Sequence, residues 1–124
     1  MPLIFEEETY KIRSVIFEVY NELGSGFLEN VYHECMKIEL LKNGIPFDSE
    51  KELNVYYKGS KLNQIYKADF ICFDKIIIEI KAVKKLSLQH ESQILNYLKC
   101  TKMKLGLLVN FGSFSTPEIK RIAN

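Results

Sequence analysis

The stretch KIIIEIKAVKK, residues 75 to 85, decides the fold. Ile76, Ile77, Ile78 and Ile80 spell a strand buried on at least one face, yet Glu79 and Lys81 stand inside it. Residues i and i+2 of a strand point to the same face. Glu79 and Lys81 therefore emerge together with Ile77 and Val83, while Ile78, Ile80 and Ala82 fill the other side. Burying an unpaired charge is very costly, so the two need a purpose or each other. One reading is a salt bridge on a solvated edge, a pattern common by chance. The other is chemical. A carboxylate held on a rigid strand can bind a hard divalent cation, which prefers oxygen ligands. A neighbouring ammonium can orient an attacking hydroxide and steady the charge growing on a phosphate.

Outward from that strand the chain changes period twice. On the N-terminal side, the spacing of Ile12, Val15, Ile16, Val19, Tyr20 and Leu23 predicts a helix from about Glu6 to Leu23, broken by GSG at 24 to 26. A second helix is expected from about Leu28 to Lys42, with Leu28, Val31, Cys35 and Ile38 as its apolar stripe and Gly44 and Pro46 beyond its end. LNVYYKGSKLN, residues 53 to 63, reads as two strand ends around a Lys-Gly-Ser turn, and QIYKADFICF as a further strand segment. After the isoleucine strand a third helix runs from Ser87, a plausible N-cap, to about Cys100. KLGLLVNF is a short buried strand, and TPEIKRIAN fits either a strand or a helical turn. Helix, helix, strand meander, helix, strand is the order of an α/β domain with a mixed sheet.

Composition bounds the rest. The chain has 124 residues, 47% of them apolar and 27% charged, which suits one globular domain over 1–124 with a real core. No apolar run approaches the roughly 20 residues needed to cross a bilayer, and MPLIFEEETYK lacks the features of a signal peptide. A cytoplasmic location without membrane contact is expected. Cys35, Cys72 and Cys100 are odd in number and widely spaced, so they suggest neither a disulfide framework nor a zinc knuckle. HESQI lacks the second histidine of a zinc-protease helix. Net charge is only +1, but residues 1 to 60 carry 6 basic against 11 acidic residues, and residues 61 to 124 carry 11 against 5. The half that holds Glu79 and Lys81 is the basic one, as a phosphate-contacting half would be.

Asp69, in YKADF, supplies a second carboxylate on the preceding strand segment. A regular two-residue turn at Asp74-Lys75 would put it opposite Ile80, facing away from Glu79. For both acids to share a cation, the connection must be odd in length or a β-bulge must re-aim Asp69. An irregularity of that kind is therefore expected.

With Asp69 followed ten residues later by Glu79-Ile80-Lys81, the chain resembles the PD-(D/E)XK nuclease superfamily, with Ala68 where the name-giving pattern has proline. GFLENVY is similar to the Gly-x-x-Glu-x-x-Tyr motif of the GxxExxY proteins, through Gly26, Glu29 and Tyr32. HESQILNYL resembles the Gln-x-x-x-Tyr motif of the RecB-like branch, through Gln93 and Tyr97. The resemblance runs from the first helix to KLGLLVNF. It implies a restriction-endonuclease-like core, a mixed β-sheet flanked by helices. It also implies a metal-dependent nuclease, with DNA expected ahead of RNA although no residue here separates the two. Mg²⁺ or Mn²⁺ would be held by Asp69, Glu79 and the Ile80 carbonyl, with Glu29 nearby. Lys81 would position water, and Gln93, Tyr97, Tyr32 and Lys84 would orient or contact substrate. His90 reads as an exposed helix histidine. The chain is short for a separate recognition domain, so a homodimer or a protein partner could add specificity. The alternative is a non-catalytic nucleic-acid-binding or protein-interaction module that keeps the fold.

Overall fold

The mixed sheet is built outward from the isoleucine strand in a computed structural model that describes residues 3–124. In chain order the elements are α1 (Glu6–Leu23), α2 (Glu29–Lys42), β1 (Phe47–Tyr57), β2 (Ser60–Cys72), β3 (Ile76–Lys81), α3 (Leu88–Thr101), β4 (Leu105–Asn110) and β5 (Glu118–Ala123). The strands lie side by side in sequence order. β1, β2 and β3 form an antiparallel meander. β3 and β4 are parallel, as the intervening α3 crossover requires, and β5 returns antiparallel along β4. The C-terminal segment is thus a strand, because β4 offers it an open edge to pair with.

β3 is covered on both faces. Ile76, Ile78 and Ile80 join Phe70, Cys72, Leu105, Leu107 and Val109 beneath α1 and α2. Ile77 and Ile71 join Tyr66, Ala68, Ile94 and Leu98 beneath α3. The four isoleucines of β3 are at most 1% exposed. Burial of each contributes about 2 kcal/mol, which makes this strand the anchor of the fold.

α1 has the expected bounds. Glu6, Glu7 and Glu8 in its first turn suit the positive end of the helix dipole. Ile12, Val15, Ile16, Val19 and Tyr20 are buried, and Leu23 is only half-buried at the end. α2 starts one residue later than expected, and its buried stripe is Tyr32, Met36 and Leu40. Leu28 and Ile38, assigned to the stripe from sequence, are exposed, while Val31 and Cys35 are half-buried. Two apolar rows compete on this helix, and the row spaced by four lies over the sheet. α3 begins with a capping box: Ser87 Oγ accepts the His90 N–H, and His90 Nδ1 accepts the Ser87 N–H.

Candidate active site

The connection between β2 and β3 is three residues long, Phe73 to Lys75. Phe73 and Asp74 both adopt left-handed backbone, and the Lys75 N–H closes the turn on the Cys72 carbonyl at 3.1 Å. Pairing begins at Cys72↔Ile76 and ends at Phe70↔Ile78, so continuing it would set Asp69 opposite Glu79. The odd length anticipated from sequence is what the chain uses. Past Phe70 the two strands part, and the carboxylates fill the gap. Asp69 Oδ2 accepts the Ile80 N–H at 2.8 Å, and the Asp69 N–H makes a long 3.4 Å bond to Glu79 Oε1. Ile80 points its carbonyl the same way as its N–H, into the split between the strands.

A second irregularity sits at the same level. Tyr66 and Ala68 face α3, but Phe70 and Cys72 face α1 and α2, so simple alternation along β2 breaks at Asp69. On β1 the facing residue is Glu50, with φ 54, while the register on either side is unchanged. Both strands kink together, and no residue is inserted. The kink brings Tyr66 onto the side of Glu79. The Tyr66 hydroxyl donates to Glu79 Oε1, and its ring stacks on Tyr97 of α3 at 3.9 Å between centroids and 13° between planes. Strict alternation would turn Tyr66 and Asp69 to opposite faces, which is why Tyr66 escaped notice in the sequence.

The electrostatics follow from this crowding. Burial first, and the negative charge of Asp69 second, push the Glu79 carboxyl up to about 7. The Tyr66 hydroxyl, the Asp69 N–H and the Lys81 ammonium oppose that rise. Burial and the Glu79 charge drive the Tyr66 hydroxyl far upward, so it remains a donor. Glu29, the first residue of α2, is raised by burial and by Asp69 and lowered by Lys81. It is exposed in the helix layer on the opposite face, outside the cleft lining, yet close enough to feel the charges of Asp69 and Lys81.

A cleft of about 200 Å³ opens between this end of the sheet and α3, lined among others by Tyr66, Glu79, Lys81, His90, Gln93 and Tyr97. His90, Gln93 and Tyr97 follow at intervals of three and four, one face of the helix. His90 is half-buried in the capping box, where sequence suggested an exposed position. Lys84 lies exposed on the loop after β3, outside the cleft lining. Tyr32 lies inside the core and outside the cleft lining. It is fully buried and stacked on Phe111, and its hydroxyl donates to the Gly24 carbonyl at 2.6 Å and accepts the Phe27 N–H. It thereby fastens the GSG turn that delivers Glu29.

The loop from Lys81 to α3 is held by Asn110, which sequence reading also passed over. This buried amide accepts the N–H of Val83 and of Gly112 and donates to the Val83 carbonyl and to Glu118. Gly112 lies so close that a Cβ there would meet the Val83 carbonyl at 2.3 Å.

The donors at the split are all oxygen, two carboxylates and a backbone carbonyl, and they suit a hard divalent ion. Among the described residues no three His, Cys, Asp or Glu side chains converge as a cage. An ion here would complete its shell with water and substrate oxygens, as Mg²⁺ does. Burial first and Asp69 second disfavour the Glu79 carboxylate, and a cation at the split would favour it.

Comparison with known proteins fits this geometry. No curated protein matches the chain. Among solved structures, the crystal structure of SSO0001 superposes with a TM-score of 0.61 at 22% identity, over 77% of this chain and 49% of that one. The chain thus spans about half the length of that protein, and the likeness is one of fold. The PD-(D/E)XK nuclease superfamily matches residues 6–122, nearly the whole sequence, and its members generally use divalent metals. With a mixed five-stranded sheet flanked by helices and with Asp69 and Glu79-Ile80-Lys81 meeting where two strands part, the chain belongs to the PD-(D/E)XK nuclease superfamily.

Proposed function

We propose that residues 1–124 form one domain that hydrolyses phosphodiester bonds in DNA with Mg²⁺, or Mn²⁺ in its place, in the GxxExxY branch of the superfamily. The observation that carries this is the Asp69–Glu79 pair in the strand split, with Glu79 pushed up to about 7 beside a second acid. Two carboxylates held that close ask for a cation. Asp69, Glu79 and the Ile80 carbonyl would hold it, with Glu29 directly or through water. When bound, such an ion supplies Lewis acidity, lowering the pKa of water and neutralising charge on the phosphate.

The remaining work belongs to the chain. Lys81, on the same strand face as Glu79, orients the attacking water and balances charge on the phosphoryl oxygens. Tyr66 fixes one Glu79 oxygen by its hydroxyl and leaves the other free. Gln93 and Tyr97 orient the substrate strand or the acids from α3. Tyr32 acts at one remove, through the turn before Glu29, which supports the branch assignment. Three free cysteines, one buried, support a reducing, cytoplasmic setting. A homodimer or protein partner would add binding area.

The test is a titration of Mn²⁺ into wild type and Asp69→Ala, following thermal stability and cleavage of single-stranded and duplex DNA. Wild type should gain several degrees in Tm and cleave. The variant should lose both responses, with cleavage down by roughly a hundredfold or more. No metal response in either protein would favour the non-catalytic binding module.

A further inference from the structure

β2 pairs with β3 only from Phe70 to Cys72, whereas its pairing with β1 runs on to Ser60. Outward from Lys67 the hairpin is therefore a two-stranded ribbon beyond the sheet. Isolated ribbons of this kind are marginally stable in water. Only its base is packed, through Leu53, Val55 and Tyr66 beneath α3. Every residue from Tyr56 to Ile65 is exposed, Tyr57 at 62% and Ile65 at 45%. Between Asn54/Ile65 and Tyr56/Lys61 the register shifts, a bulge that bends the outer part.

The chemistry of this ribbon is one-sided. From Asn54 to Lys67 the sequence NVYYKGSKLNQIYK contains three lysines and no acid, and the one acid at the ribbon's base is Glu52, opposite Lys67 on β1. Lys58, Lys61 and Lys67 enter no ion pair among the described residues. Lys67 also lines the cleft that holds Glu79 and Lys81, so the basic track begins at the candidate active site. Tyr57 carries the Lys58 ammonium 5.4 Å from its ring centre, and Lys102 of the α3 C-cap lies 5.9 Å from that of Tyr56. Exposed aromatic rings interleaved with cations are what an unpaired nucleic-acid strand needs, bases stacking on rings and phosphates meeting ammonium groups.

We propose that the β1–β2 ribbon is a nucleic-acid-binding arm that takes the single-stranded segment leaving the cleft, with phosphates on Lys67, Lys61 and Lys58 and an unpaired base on Tyr57. This rests on the nuclease reading for the direction of the strand, though the arm's binding can be measured without catalysis. Single-stranded substrate is favoured over duplex because the exposed rings offer stacking, which paired bases cannot use.

The experiment is fluorescence anisotropy of a labelled oligothymidylate and of a duplex, in EDTA, with wild type, Tyr57→Ala and the double variant Lys58→Ala/Lys61→Ala. The same proteins are assayed with Mn²⁺ on bis(p-nitrophenyl) phosphate, a diester too small to reach the arm. Tyr57→Ala should bind the single strand roughly tenfold more weakly. The lysine variant should flatten the log K against log salt slope by about 1.4. Both should keep the small-diester activity of wild type. Unchanged oligothymidylate binding in both variants overturns the inference, and so does a loss confined to duplex. If wild type hydrolyses nothing while the variants still lose single-strand binding, the nuclease reading falls and the arm stands.

Discussion

Glu79 sets the behaviour of the site at the scale of the single residue. Its carboxyl is held up at about 7 in the folded protein against an ordinary 4.5, chiefly by burial and then by Asp69. Between those values the native state keeps a proton that the unfolded chain has released. The native state binds more protons there, so the stability of the metal-free protein falls as pH rises through the window and levels off above it. Glu79→Gln removes this penalty. Urea unfolding of the metal-free proteins should show equal stability near the lower end of the window and an advantage of about 3 kcal/mol for the variant above its upper end. An advantage that stays constant with pH would show that the carboxyl is not held up. Strand period alone put Glu79 and Lys81 on one face, but Asp69 joined them only through the resemblance, and its place opposite Glu79 depends on the three-residue connection after Cys72. Tyr66 was not legible, since its approach to Glu79 depends on a kink that neither glycine nor proline announces.

The elements show where sequence reading gains and loses its grip. α1 and α3 were legible almost to the residue, since each has one apolar face and a clear end, GSG for α1 and Ser87 for α3. In α2 the rows through Leu28, Val31, Cys35 and Ile38 and through Tyr32, Met36 and Leu40 are both apolar, and only the sheet beneath selects between them. The last strand was ambiguous for the same reason: its identity comes from the β4 edge. Of the connections, the one after β3 is the most tightly built. Asn110 clasps Val83 at both its N–H and its carbonyl, and the backbone at Gly112 passes too close for any side chain. Gly112→Ala should therefore force the loop away from β4 and cost about 2 kcal/mol, a fall of roughly 8 °C in Tm for a chain of this size. Differential scanning calorimetry reads it directly. A change within a degree would mean that the loop yields freely.

Across the whole molecule, packing and charge divide the same way. Helices α1 and α2 carry eight acidic against four basic residues, while the hairpin beyond Glu52 carries only lysines. The two-helix face is therefore acidic and the outer hairpin basic. Stability is graded as well. β3 and β4 are buried along nearly their whole length, whereas the outer hairpin has one partner strand and open solvent. Hydrogen exchange should show amides of Tyr56–Ile65 exchanging at least about a thousandfold faster than those of Ile77–Lys81 and Leu107–Val109, because local opening of the ribbon leaves the core intact. Uniform protection would contradict that grading. The matched kink at Glu50 and Asp69 then acquires a mechanical meaning. It is the joint between sheet and ribbon. Glu79 stands on the sheet side and Asp69 at the joint itself, where pairing with β3 has ended and pairing with β1 continues outward. The spacing of the two acids is therefore set at the joint itself, by the backbone of Asp69 and of Glu50 facing it, and not by the buried strands on either side.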